Sequence, residues 1–190
     1  MYLWGSHLEG LEEFTHEFNK SIDFDKILFE EDITGSLAHV EMLSKKGIIG
    51  QEDFEIISKE LKNILEEVKS KKLEIDLKEE DIHSFVENEL TKRVGSVGKK
   101  LHTARSRNDQ CALDLRLYSK KVLAEINKDL KNLIKAIISL AEENKNTIMP
   151  GFTHMQHAQV TSFAHYILAY GQMFKRDIER LNNSLLRIDE

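Results

Sequence analysis

The apolar positions first fall into a helical rhythm at Asp32. Ile33, Leu37, Val40 and Leu43 share one face, and Gly47 is a natural stop. Ahead of it, residues 1–30 carry no clear period. The aromatics Trp4, Phe14, Phe18, Phe24 and Phe29 are scattered there through acidic sequence. Phe54, Ile57, Leu61, Ile64 and Val68 then predict a second amphipathic helix, with Glu52, Asp53 and Glu55 where the macrodipole favours acids. The alternation of Leu73, Ile75 and Leu77 predicts a short extended segment within a charged connection. A further helix is expected from about Asp81 to Arg93, broken by Gly95-Ser-Val-Gly98.

Beyond Gly98 the texture changes. No Gly or Pro occurs from Lys99 to Met149, and Leu115, Tyr118, Val122, Ile126, Leu130, Leu133, Ile137 and Leu140 keep a 3/4 spacing. After Pro150-Gly151 the same spacing returns at Val160, Phe163, Ile167, Tyr170, Phe174, Ile178, Leu181, Leu185 and Ile188. Both stretches are expected as antiparallel helices of more than 30 residues, with stripes too wide to be covered by each other alone. The second pattern runs to Glu190 with no stop signal, so the chain is expected to be cut within a helix of a longer protein.

Composition narrows the class. Among 190 residues there are only 9 Gly and 1 Pro, too few turn residues for a many-stranded sandwich or barrel. The predicted fold class is all-α: a small helical amino-terminal domain, 1–107, then the first two long helices of a central multi-helix bundle, 108–190. The net charge of −6 argues against nucleic acid as the main partner. No apolar run is long enough for a membrane span, and Met1–Gly10 has no secretory pattern, so a cytoplasmic location is expected. The single cysteine, Cys111, can make neither an internal disulfide nor a zinc knuckle.

Two segments carry candidate chemistry. Between Glu89 and Asp109 no acid occurs, while Lys92, Arg93, Lys99, Lys100, Arg105 and Arg107 crowd together. Ser106, Asn108 and Gln110 sit where the long helix begins. Backbone N–H groups at a helix start, beside arginine forks, suit a carboxylate or phosphate. A solvated basic loop capped by Asn108 or Asp109 explains the same residues equally well. In the second segment, Thr153 and His154 follow the Pro-Gly turn, at the expected entry to the second long helix. A histidine there can move a proton near neutral pH, while a plain N-cap is the blander account. His154 and His157 lack a third ligand, so no metal is expected. Glu80-Asp-Ile-His83 and Phe18-Asn-Lys-Ser-Ile-Asp-Phe-Asp25 are weaker candidates for capping or a polar cleft loop.

Asp32-Ile-Thr-Gly-Ser-Leu-Ala-His39, Glu80-Asp-Ile-His83, Lys100-Leu-His-Thr-Ala-Arg-Ser-Arg-Asn-Asp-Gln110 and Pro150-Gly-Phe-Thr-His-Met-Gln156 follow one another as they do in argininosuccinate lyases. The chain thus resembles the amino-terminal part of that family, within the aspartase/fumarase superfamily. The resemblance implies a homotetramer built around a shared helical bundle, and an enzyme of arginine biosynthesis. Its reaction would be the reversible β-elimination of fumarate from argininosuccinate, leaving arginine, with no cofactor. Adenylosuccinate lyase, fumarase and a non-catalytic oligomer of the same fold are the alternatives.

By position, the resemblance makes His154 the acid/base histidine, and Thr153, Ser106, Arg107, Asn108, Ser21, Asp25 and His83 substrate-binding residues. This piece alone is expected to be inactive, because the family's mobile serine loop lies beyond Glu190. The family's opening Trp-Gly-Gly-Arg-Phe is here Trp4-Gly-Ser-His-Leu8, its Thr-Gly-Arg is Thr103-Ala104-Arg105, and its Gln-Arg-Ala-Gln-Pro is Gln156-His-Ala-Gln-Val160.

Overall fold

The computed structural model describes residues 13–189, so the Trp4–Leu8 opening lies outside the described residues. The chain forms two compact units, Met1–Tyr118 and Ser119–Glu190, which divide within one long helix. In the first unit, α1 (Glu13–Asn19) and α2 (Ile22–Asp25) lead through a 3-10 turn into α3 (Phe29–Lys45). Helices α4 (Gln51–Lys69) and α5 (Ile82–Val94) follow, then a second 3-10 stretch (Gly95–His102) and the start of α6 (Arg107–Glu143). Short helices therefore fill part of the region whose sequence shows no period.

The expected stripes form the core. Ile33, Val40 and Leu43 from α3 and Ile57, Leu61 and Ile64 from α4 are fully buried. Ile82, Phe85, Val86 and Leu90 from α5, with Leu101, complete the cluster. Gly47 ends α3 as its position predicts. At φ +68° it adopts the left-handed conformation, and Gly47 N–H and Ile48 N–H close back on Ser44 O and Leu43 O at 2.9 Å each. The Leu73–Leu77 alternation does not become a strand: the segment has no regular structure and no pairing partner. Gly98 is required by close packing, since a Cβ there would lie 3.0 Å from the Thr91 backbone.

Helix α6 is 37 residues long, about 55 Å at 1.5 Å per residue. In the second unit it is followed by a hairpin, β1 (Ile148–Thr153) and β2 (Gln156–Ser162), and by α7 (Phe163–Ile188). This overturns two expectations. Helix α7 has 26 residues rather than more than 30, and Thr153 and His154 are not at its start. The helix is instead capped by Ser162, whose Oγ accepts the His165 N–H at 3.2 Å. Val160 and Thr161, β-branched and next to polar residues, extend into β2 and pair with Pro150 and Met149. Pro150 is tolerated because a two-stranded ribbon leaves an open edge for a residue without an N–H.

Helices α6 and α7 pack antiparallel, as Lys120–Asp189, Asn127–Asn182 and the approach of Gly171 to Ile137 show. Within this unit Ile137, Ala141 and Ala164 are buried, but Ile126, Leu133, Ile138, Tyr166, Leu168 and Met173 remain 41–48% exposed. The two helices do not cover their own apolar faces. No helix among the described residues is long and apolar enough to cross a membrane.

Candidate active site

The start of α6 is built by its own sequence. Ser106 Oγ accepts the Asn108 N–H at 3.2 Å, and Asp109 Oδ1 accepts the Ser106 N–H at 2.7 Å. This reciprocal pair is a capping box with Ser106 at the N-cap and Asp109 reaching back to it, and Ser106 and Asn108 are exposed to solvent. Just before it, Ala104 has φ +54°, the left-handed conformation that a glycine adopts without cost. That position is where the argininosuccinate lyase pattern carries Gly.

The arginines are not the open forks that the sequence suggests. Arg105 is buried and donates from Nη1 to Ser36 Oγ at 2.9 Å. Arg107 lies 3.2 Å from both Asp81 and Glu87, and donates to Gln110 Oε1 at 2.9 Å. Glu87 also meets the His102 ring at 2.8 Å. The chain's own carboxylates thus hold the guanidinium of Arg107 beside the capped turn.

Around the start of α5 three other candidates converge. Asp81 caps that helix, accepting the Ser84 N–H at 2.6 Å. Ser21 N–H donates to Glu80 O at 2.8 Å, and Ser21 Oγ donates to Asp25 Oδ2 at 2.7 Å. Asp25 Oδ1 accepts the Ile82 N–H at 3.0 Å, so this pair docks the early segment against α5. Burial pushes the Asp25 carboxyl upward, against the hydrogen bonds from Ser21 and Ile82. His83 lies beneath, 2% exposed, with Nδ1 2.7 Å from Asp32 Oδ1 and Nε2 3.2 Å from Cys111 Sγ.

Sequence reasoning did not single out Asp32 or Asp114, and these prove to be the centre of a buried polar cluster. Both are fully buried, and Asp114 Oδ2 lies 3.5 Å from His83 Nδ1. Burial, then repulsion from Asp32, pushes the Asp114 carboxyl up to about 7, while His83 and Arg105 pull the other way. Burial opposes the imidazolium of His83, but its hydrogen bond to Asp32 and the Asp32 charge outweigh that, and the net movement is upward. Burial and the neighbouring Asp81 raise the Cys111 thiol. Ligand atoms of Asp32, His83 and Asp114 lie within 4.8 Å of one another, a spacing that suits a metal ion. Arg105 beside them already supplies a cation. One signal was available: Asp114 sits between Leu113 and Leu115 at the head of an apolar stripe, an expensive place for a carboxylate unless it is used.

In the second unit Thr153 pairs with Gln156, and His154 and Met155 form the two-residue tip of the hairpin. Their φ values of +51° and +61° match the primed turn that Asn-Gly usually fills. Two residues with side chains therefore hold a strained backbone, which presents His154 to solvent. Ser21, Asp25, His83, Ser106, Arg107 and Asn108 gather in the first unit; Thr153 and His154 belong to the second.

Comparison with known proteins gives these residues a context. The family model described as Lyase matches residues 10–190. The argininosuccinate lyase of Desulforamulus reducens is 50% identical over 190 residues, and that of Acetivibrio thermocellus is 48% identical over 190 residues. The chain is covered completely by both, and spans 41% and 42% of their respective lengths. Among solved structures, an EDDS lyase variant with bound fumarate superposes with TM-score 0.74 at 24% identity, over 92% of this chain and 34% of its own. A fumarate lyase:delta crystallin from Brucella melitensis gives 0.73 at 15% identity, over 94% of this chain and 47% of its own. At such identities these two establish a shared fold.

Proposed function

Since this chain belongs to the lyase family that matches it from residue 10 to residue 190, we propose that it forms the amino-terminal part of an argininosuccinate lyase. The enzyme would be a cytoplasmic homotetramer that releases fumarate from argininosuccinate and leaves arginine, as a step of arginine biosynthesis. What supports this reading most is the identity of about one half, over all 190 residues, with proteins of that name.

The chemistry asks for three things: a base for the proton beside a carboxylate, donors for the resulting dianion, and an acid for the departing guanidinium nitrogen. The capped turn offers donors. Ser106 and Asn108 expose their side chains at the positive end of a 37-residue helix, and Arg107 adds a cation beside them. Ser21 and Asp25 would contact the same substrate from the early segment, with His83 beneath. His154 would be the acid/base group, supported by the strained hairpin tip that presents it, and Thr153, beside it at the end of β1, a substrate contact.

In the assembled protein, residues 1–107 would form the amino-terminal domain and 108–190 the first two long helices of the bundle. The uncovered faces of α6 and α7 are what such a bundle would bury. On this reading the 190 residues alone turn over no substrate.

The test is His154→Asn in the full-length protein. That side chain is polar and similar in size but cannot titrate near neutrality, so kcat should fall by about 10²–10⁴ with folding intact. A kcat close to wild type would remove His154 from the chemistry.

A further inference from the structure

One carboxylate oxygen joins three helices of the first unit. Oδ1 of Asp32, on α3, accepts from His83 Nδ1 on α5 at 2.7 Å and from Gln110 Nε2 on α6 at 2.5 Å. Gln110 is itself 2% exposed. With its nitrogen turned to Asp32, the amide must present Oε1 on the other side, and that oxygen accepts from Arg107 Nη1 at 2.9 Å. The order Asp32, Gln110, Arg107 is therefore a directed relay that ends in the capped turn. On the other side, donation from Nδ1 to Asp32 fixes the tautomer of the neutral His83 ring, which leaves Nε2 to accept the Cys111 thiol.

Asp32 is costly for the fold. It is 0% exposed, and a second carboxylate, Asp114, is buried beside it. An apolar side chain of similar volume would stabilise the core better. What the carboxylate gives in return is one acceptor strong enough to orient two donors at once.

We infer that Asp32 is a positioning residue of the candidate site, which sets the 106–108 turn through Gln110 and Arg107 without touching substrate. The inference rests on the reading of that turn as substrate-binding. It makes the relay a single unit: Asp81 and Glu87 neutralise Arg107 from one side, and removing any link takes away the acceptor that fixes Nη1 from the other. The guanidinium then shifts toward those carboxylates, a substrate contact is misplaced, and the loss appears in KM more than in kcat.

The experiment is steady-state kinetics of the full-length protein with argininosuccinate, comparing Asp32→Ala, Asp32→Asn, Gln110→Ala, the double variant Asp32→Ala/Gln110→Ala, and Asn108→Ala. Asp32→Ala should raise KM by about 10- to 100-fold, the scale of a small misplacement. Asp32→Asn should recover most of that loss, because its amide oxygen can still accept from both partners. The double variant should be no worse than Asp32→Ala alone, as expected for two links of one relay. If Asp32→Ala does not fold, Gln110→Ala carries the test, since it cuts the relay with Asp32 intact and must raise KM by itself.

A raised KM in Asn108→Ala with wild-type KM in the Asp32 and Gln110 variants would overturn the positioning role alone. Additive losses in the double variant would overturn it too. An unchanged KM in Asn108→Ala would sink the substrate-binding turn, and the inference with it.

Discussion

Replacing Asp114 with Asn removes a charge from the buried cluster while keeping its shape, and it should change how stability depends on pH. Desolvation and the nearby Asp32 hold the Asp114 carboxyl at about 7 in the folded chain, against 3.8 in a model peptide. The folded state therefore binds this proton more tightly than the unfolded state. The matching stability is complete below about pH 3.8 and is lost as pH rises through about 7. His83 acts in the same sense: its share is complete below pH 6.5 and is lost as pH passes its raised folded value.

Between pH 5 and pH 8 the unfolded Asp114 is already ionised, while the folded one keeps its proton over roughly the first two pH units, up to about pH 7. At about 1.4 kcal/mol per unit, the first unit of the structure should lose about 2–3 kcal/mol over that range. Asp114→Asn should keep only the smaller slope due to His83, match wild type within about 1 kcal/mol at pH 5, and exceed it at pH 8. Urea unfolding at several pH values, read by pulsed hydrogen exchange in peptides from α3 and α5, reports on this unit specifically. Wild-type stability that is level or rising from pH 5 to 8 would refute the reasoning. So would an Asn variant with the full wild-type slope.

Two further predictions concern the turn and the long helices. Ala104→Gly relieves a left-handed alanine and should stabilise the first unit by about 0.5–1 kcal/mol net, measured as a shift of the urea midpoint; destabilisation would show that the Ala104 conformation is not strained. In the second unit, Ile126→Asp and Leu133→Asp place charges on exposed apolar positions and should dissociate an assembly without unfolding the helix pair. Ile137→Asp charges a position already buried within the chain and should unfold it. Sedimentation with circular dichroism separates the two, and a wild-type monomer at micromolar concentration would remove the case for a bundle interface.

Where one periodic rule dominates, the sequence was readable. The stripes of α3 and α4, the stop at Gly47 and the single long α6 all follow from spacing. The hairpin was not readable, because Pro150-Gly151 looks like a turn and Val160 fits the 3/4 spacing of the helix that follows. Pairing across the ribbon decided those residues, and pairing leaves no local signal when the turn is His154-Met155 instead of Asn-Gly.

At the site, motif positions located the capped turn, but they did not show that Arg105 and Arg107 are paired within the chain. Ser36, the partner of Arg105, and Asp81 and Glu87, the partners of Arg107, lie twenty or more residues away in sequence and meet them only once α3 and α5 come beside the start of α6. Asp32 and Asp114 were hidden for a related reason. Asp32 follows Glu30 and Glu31 and reads as one more first-turn acid, Asp114 lies between two leucines, and only the fold shows that the two carboxylates share one buried space with His83.

The central claim is tested most directly by substrate choice. Incubate the full-length protein separately with argininosuccinate, adenylosuccinate and malate, and follow fumarate by ultraviolet absorbance, with arginine assayed in the first reaction. Argininosuccinate should give fumarate and arginine in equal amounts, and the other two should give no fumarate. Fumarate from adenylosuccinate or malate instead, or none from argininosuccinate by the folded protein, would contradict the claim.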